Sequence, residues 1–585
     1  MQRFDFPRVV IIKPQQFLVL RAFIRGLKYA STMYTPKTAR LMRRSWRLER
    51  KTSPVLEVEK EIPATSGDPM QQGETARAAA ASLPLSRAVY ALAIVAVAVH
   101  VAFSGRYGFF RDELYYAACG QRLAWGYVDH APLAPFLARL SRALLGDSLS
   151  ALRFLPALAA SAKVLLAGWL ARELGGSKYA QFLAAFCVLL APIYLTFDNF
   201  FSMNAFEPVF WMACAAIVLR ILNGGNPKLW LLFGLNAGLG ILNKHSMLFF
   251  GSGIALGLLA TPARKHFRQP WIWLGAGIAF LYFLPNLLWE IQNGWPTLGL
   301  FHAVIGTKYV NVSPWEYIWQ QTLLTNPVAA PIWLAGLWFL LRDPLGKKYA
   351  VLAWAYFTVL SEMLILHGKI YYLAPAYVML LAAGSVWIEL RLVPRVGAWL
   401  RPTIAVPLLI SGVIAAPLAM PILPVEAAVR YTRFWDVQAI HVENVPQSEL
   451  PQLFGDMFGW QEQVRAVAGV YRALPESERA QAVVLAYNYG EASAINYFGS
   501  KLGLPRAISG HNEYGLWGPG AMTGQVAVAI GFTEHQLRQF YDEVTPEASV
   551  SPQYAMPEES RLTIFVCRLP KKSLQESWVE WKYLS

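Results

Sequence analysis

The stretch GRYGFFRDELYYAACGQRLAWGYVDHAPL (residues 105–133) follows directly on the apolar run AVYALAIVAVAVHVAF (88–103). Crossing a bilayer takes about 20 mostly apolar residues, so the run is long enough to enter one. Two adjacent carboxylates, Asp112 and Glu113, then stand among Phe109, Phe110, Tyr115 and Tyr116. Two readings are open. An acid at a helix start is often only a cap or a partner for the helix dipole. Alternatively, aromatic walls and nearby lipid desolvate the pair. Neighbouring carboxylates resist ionising together, which would lift one toward the range of a general base. Downstream, LYYAACGQRLAWGYV reads as an amphipathic helix lying on the membrane surface, with Tyr and Trp at headgroup level.

The whole chain fits this setting. It has 585 residues, 55% of them hydrophobic and only 15% charged, with 21 Trp. A soluble domain carries about 25% charged residues. Apolar runs recur near 86–104, 150–171, 179–197, 201–222, 228–243, 246–261, 270–288, 318–341, 349–366, 371–390 and 403–421. The expected fold class is therefore a polytopic α-helical membrane protein of about eleven transmembrane helices. The formal charge of +15 then reports on cytoplasmic loops and headgroups, and nucleic acid is not an expected partner.

Residues 1–84 read as a tail. TARLMRRSWRLERK is basic, and EIPATSGDPMQQGETARAAAASLP has the composition of a disordered linker. Met70 is a plausible alternative start. Cys187 and Cys214 fall in apolar runs and read as small core residues. Cys119 and Cys567 fall outside them, and a bridge between these two is open.

Loop charge sets the topology. RELGGSK, RILNGGNPK, TPARKHFRQ, RDPLGKK and RLVPRVGAWLRP form one alternating set, short and basic. The positive-inside rule makes that set and the N-terminus cytoplasmic. The other set is outside: 105–149, DNFFSMN, NKH, 290–315, HGK and everything after 422. Isolated ionisable residues collect there: Asp112, Glu113, Asp129, His130, Asp198, Glu207, Lys244, His245, Glu290, Lys308, His367 and Lys369. Charges of both signs at one membrane face point to a cavity opening on that face, against the bland reading as interfacial charges.

Lys244 and Lys369 each stand at the outer end of an apolar run, with Tyr371 and Tyr372 beyond Lys369. Lysine is a common point-charge binder of phosphate, and snorkelling is the alternative. A base together with cations suits a reaction with a phosphate leaving group. Asp112, Glu113, Asp129, His130, His245 and His367 are the available metal ligands. A divalent metal stays open, but no spacing matches a zinc or calcium motif. Phosphate-loop and dinucleotide fingerprints are missing, as is a serine-hydrolase elbow.

Residues 422–585 leave the membrane as a small extracytoplasmic α/β domain. QAVVLAYNYG then EASAINYFGSKLG reads strand, turn, helix; GQVAVAIGF then TEHQLRQFYDEV repeats it; RLTIFVCRLP closes as a strand. GHNEYGLWGPGA between them is a glycine- and aromatic-rich loop, either an acceptor contact or a connection.

Three stretches together carry a resemblance: RDELYYAACGQRLAWGYVDHAPLAPFLARLSRALLGDSLSALRFLPAL, GLGILNKHSMLFF and GKIYYLAPAYVMLLAAG. The chain resembles the bacterial glycosyltransferase family 39/83-type proteins, which include dolichyl-phosphate-mannose protein mannosyltransferases and the lipid A aminoarabinose transferase. The resemblance covers most of 86–400. It implies a GT-C-like transmembrane domain over 85–421, with first outer loop 105–149. It also implies transfer of a sugar from a polyprenyl-phosphate carrier, usually with inversion, to a glycolipid, polysaccharide or protein acceptor at the periplasmic face of the bacterial inner membrane. Carried over, Asp112 is the base with Glu113 as its neighbour. Lys244 and Lys369 contact the carrier phosphate, and Tyr371 and Tyr372 line the pocket. Asp129, His130, His245 and His367 complete the substrate-binding set. Many relatives carry an Asp at the outer start of the fourth span. Here Asn204 stands near that place, with Glu207 one helical turn later. Asn204 can orient a sugar hydroxyl but cannot act as a base. The competing readings are a lipid-linked sugar flippase, which would want midplane charges and inverted repeats, and an inactive binding relative.

Overall fold

The computed structural model describes residues 84–304, 312–436 and 448–585. Residues 1–83 of the expected tail, and Lys308, lie outside the described residues. Each of the eleven apolar runs folds as helix. Six helices among the described residues are long and apolar enough to cross a membrane, or eight if two bent pairs each count as one span. Three shorter apolar helices are Arg87–Phe103, Lys178–Leu189 and Leu229–Asn243.

Two runs read as single spans are broken, and proline is the physical reason. The 179–197 run stops at Leu189 and restarts as Pro192–Phe197. The 318–341 run bends by 104° between Pro314–Leu324 and Pro327–Arg342. Pro327 offers no N–H, and Asn326 before it takes a left-handed φ of 78°, so the helix cannot continue. The Ala374–Trp387 helix runs buried through the middle of the bundle, while Pro270–Gln292 and Leu400–Ala419 stand largely exposed at its edge. Contact at the centre is close. A Cβ on Gly384 would lie 1.7 Å from the Ile332 carbonyl oxygen, so only glycine fits. Lys163, midway along the Leu149–Glu173 helix, pairs with Asp198 and donates to the Ala205 carbonyl at 3.1 Å.

The C-terminal part is α/β as expected. Its five strands are β1 (Ala482–Ala486), β2 (Ala507–Ile508), β3 (Val526–Ile530), β4 (Tyr541–Val550) and β5 (Leu562–Pro570), in the order β2-β1-β3-β5-β4. β2, β1 and β3 are parallel; β5 runs antiparallel between β3 and β4. The helix expected over 533–544 is cut to Glu534–Leu537. From Tyr541 the chain runs extended as β4 at the edge of the sheet, paired antiparallel with β5, with Tyr541 and Val544 buried and Asp542 and Glu543 exposed. All four cysteines are buried and free, so Cys119 and Cys567 form no bridge.

The membrane-surface helix is corrected in its setting. It forms as Arg111–Gln121, but Glu113 through Gly120 are buried. It packs against the Tyr489–Phe498 helix of the C-terminal domain, so both its faces meet protein. The same seam is closed by rings and charges. Phe109 meets Tyr497 at 4.8 Å, Tyr107 meets Phe454 at 5.5 Å, and Arg111 pairs with Asp456 at 2.7 Å.

Arg153 fixes the loop that leads into this helix. Its guanidinium grips the Glu113 carboxylate through Nε and Nη2, both at 2.8 Å. It also donates to the carbonyls of Ser104, Arg106 and Gly108. Both side chains are essentially without solvent contact. Glu113→Ala strands a buried guanidinium and is expected to cost about 3–5 kcal/mol. Thermal melts of the detergent-solubilised protein check this; an unchanged midpoint would remove the pair from any part in holding the loop.

Candidate active site

The helix that begins at Arg111 sends its two carboxylates to different places. Phe110 is the extended N-cap, and its N–H donates to Glu113 Oε2 at 2.8 Å. This is the reciprocal half of a capping box. The Phe201 N–H adds a bond to Glu113 Oε1 at 2.7 Å. With the two Arg153 bonds, four donors saturate a wholly buried Glu113. Asp112, one residue earlier, turns about 100° away around the helix. It is half-buried, and the Tyr489 hydroxyl donates to its Oδ1 at 3.0 Å.

The surroundings of Asp112 are aromatic and largely neutral. Burial first, then the Asp112 charge, raises the phenols of Tyr116 and Tyr489 well above their ordinary range. Burial pushes His130 down to about 4, so its imidazole is neutral at pH 7. His130 Nε2 is buried without a hydrogen-bond partner among the described residues. It lies 3.7 Å from Asp129. Asp129 itself accepts from Tyr115 and from Asn512, each at 3.0 Å.

A second cluster surrounds Lys244, in the extended break between the Leu229–Asn243 and Met247–Leu259 helices. Its ammonium donates to Asn204 Oδ1 and Glu207 Oε2, both at 2.8 Å. The Ser246 hydroxyl donates to the other Glu207 oxygen. Asn204 and Glu207 reach one cation because they sit a turn apart on the Met203–Leu222 helix. The ammonium lies 4.3 Å from the Tyr372 ring centre and 5.7 Å from that of Tyr371, within cation–π range. Asn204, Glu207 and Tyr371 line a narrow crevice with Phe197 and Pro375.

The two clusters are linked through the Met203–Leu222 helix. The Tyr116 ring is 4.9 Å from His130 and 5.8 Å from Phe201, which stands two residues before that helix begins. The Asn243 side chain donates to the Met203 carbonyl at 2.9 Å. His245 bonds Asn286 at 2.9 Å, and Asn286 bonds the Trp125 carbonyl at 2.8 Å, tying this region to the first outer loop. Lys369 caps the short turn holding Tyr371 and Tyr372, and its carbonyl accepts from Tyr317. His367 sits apart, exposed in a turn with φ of 53°.

Sequence reading missed three groups: Arg153, Lys163 and Tyr489. Arg153 stands inside an apolar run, and an intramembrane cation of that kind calls for a partner; that signal was present. Tyr489 carries none, because it meets Asp112 across 377 residues. For a divalent ion the fit is poor. Among the described residues no three His, Cys, Asp or Glu side chains converge, and the donors of Glu113, Asp129 and His245 are turned to protein partners.

Comparison with known proteins bears on the fold. The family model for dolichyl-phosphate-mannose-protein mannosyltransferase matches residues 129–289, a span containing Asn204, Glu207 and Lys244. The lipid A galacturonosyltransferase RgtD of Rhizobium johnstonii is 28% identical over 245 residues, 41% of this chain and 50% of that protein. The chain thus spans about half the length of this curated relative. The crystal structure of ArnT from Cupriavidus metallidurans bound to undecaprenyl phosphate aligns with a TM-score of 0.55 at 15% identity, covering 82% of this chain and 97% of that one. Its apo state aligns with a TM-score of 0.54 at 14% identity. The chain has the GT-C membrane fold with a small C-terminal sheet domain.

Lys244→Met would leave Glu207 buried opposite no cation, at an expected cost of about 3–5 kcal/mol. Adding Glu207→Gln should recover about 1–3 kcal/mol of this through coupling. Thermal melts of the two single variants and the double variant measure the coupling; strictly additive losses would mean the pair does not act as a unit.

Proposed function

We propose that this protein is a glycosyltransferase of the bacterial inner membrane. It moves a sugar from a polyprenyl-phosphate carrier to a glycolipid, polysaccharide or protein acceptor at the periplasmic face. One observation carries the reading: on a fold shared with a protein solved with undecaprenyl phosphate, a lysine held by Asn204 and Glu207 beside two tyrosines is linked to the cluster around Asp112 through the Met203–Leu222 helix and the Phe201–Tyr116 ring contact.

In this reading the carrier phosphate docks at the crevice, with Lys244 and Lys369 facing it and Tyr371 and Tyr372 as walls. Asp112 takes the proton from an acceptor hydroxyl or amine as that atom attacks the anomeric carbon. The bond from that carbon to the phosphate oxygen breaks, and the polyprenyl phosphate leaves with an added negative charge. The lysines stabilise that charge where it develops. Tyr489 orients Asp112, and the unpartnered Nε2 of neutral His130 is free to bond a substrate hydroxyl. Glu113 belongs to the scaffold: four protein donors occupy it. Asn204 orients Lys244 or a sugar hydroxyl. No step passes through a metal.

Asp112→Asn is expected to lower transfer about 10²–10⁴-fold, the usual share of a general base, while the variant still folds and binds undecaprenyl phosphate. Mass spectrometry of envelope glycolipids from cells carrying either form reads the outcome. Full transfer by the variant would remove Asp112 from the role of base.

A further inference from the structure

A second cleft, of about 390 Å³, opens between the end of the Arg111–Gln121 helix and the C-terminal domain. It shares no lining residue with the crevice at Asn204 and Glu207. Its walls carry Arg122, Arg506, Tyr514 and Trp517, and its rim is the glycine-rich turn from Gly518 to Met522. The rim is kept low. Gly518 and Gly520 take φ of 70° and 60°, and nothing stands within 4 Å of where a Gly520 side chain would begin.

The charge is one-sided. Burial first, then the neighbouring Arg506, lowers Arg122 from its ordinary value, so two guanidiniums of like sign sit close together. Among the described residues neither of them is in an ion pair. The acid that acts on Arg122 is Glu513, whose carboxyl burial pushes up to about 8, leaving it mostly protonated at pH 7. The Arg122 guanidinium lies over the Trp517 indole at 4.8 Å, and Tyr514 meets that indole at 4.6 Å. Like charges placed together without an acid repel. An oxyanion between them reverses the sign of that interaction, and a guanidinium fork matches a phosphate or a carboxylate in geometry.

We propose that this cleft binds a sugar bearing an oxyanion, phosphate or carboxylate, with the anion between Arg122 and Arg506 and the sugar beside Tyr514 and Trp517. A row of rings joins it to the proposed base. Trp517 meets Tyr514, Tyr514 lies 6.3 Å from Tyr115, Tyr115 stacks on Tyr489 at 4.5 Å, and Tyr489 bonds Asp112. The cleft therefore selects the acceptor. That assignment rests on the transferase reading; the binding itself does not.

Calorimetric titration of the full-length protein in detergent tests this, with glucose 6-phosphate, glucuronate and glucose as probes. At least one anionic sugar is expected to bind, and glucose to bind at least about tenfold more weakly, since one charged hydrogen bond is worth about that much. Response to glucose 6-phosphate alone identifies phosphate as the recognised group; response to glucuronate alone identifies carboxylate. Arg506→Gln and Arg122→Gln, both at partly open positions, should each weaken binding about tenfold while undecaprenyl phosphate binding stays as in the parent. Equal binding of glucose, binding untouched in both variants, or no binding of either anion overturns the proposal. Loss of undecaprenyl phosphate binding by the parent protein would instead strike the transferase reading and leave the cleft result standing.

Discussion

The grip of Arg153 on Glu113 is the constraint on which the outer half of the molecule depends. One guanidinium, rooted in a bundle helix, holds a carboxylate and three loop carbonyls at once. Neither charge is solvated, so each pays its desolvation only through the other. The carboxylate in turn caps its own helix and accepts the Phe201 N–H, so the first outer loop and the approach to the Met203–Leu222 helix meet at one atom group. Asp112 has a defined position because Glu113 beside it has no freedom.

Similar pairing recurs at other buried charges. Lys163 faces Asp198, and Lys244 faces Glu207. In a medium of low dielectric these pairs are alternatives to neutralisation rather than sources of large stability. They differ in what remains over. Glu113 and Arg153 satisfy each other and the backbone around them. Lys244 lies over the Tyr371 and Tyr372 rings, and its partners Asn204 and Glu207 line a crevice.

The fold class was legible because membrane helices announce themselves by composition and length. Loop alternation predicts a gathering of charge at one face. Two boundaries failed for a local reason, Pro192 and Pro327, which break runs that hydropathy joins. The Arg111–Gln121 helix was placed on lipid because its apolar and aromatic positions say only that it is buried, not by what. β4 was hidden inside an apparent helix, since its apolar Tyr541 and Val544 stand three apart, the spacing of a helix face. In the candidate site, Asp112 and Lys244 stand out in the sequence singly, as isolated charges. Their separation from Glu113 and their pairing with Glu207 do not, because facing direction depends on packing between distant segments.

The seam between loop and C-terminal domain has a consequence for biosynthesis. Tyr489 follows Asp112 by 377 residues. At about 5–20 residues per second, translation separates them by about 20–75 s. Every partner of Glu113 lies no later than Phe201, so the scaffold carboxylate is satisfied while the bundle is still emerging. Asp112 receives its tyrosine only after the last membrane helix has been inserted and the terminal domain has folded. The chain therefore acquires its Glu113 frame early and the Tyr489–Asp112 contact last, and a ribosome stalled before the sheet domain leaves the bundle without that contact.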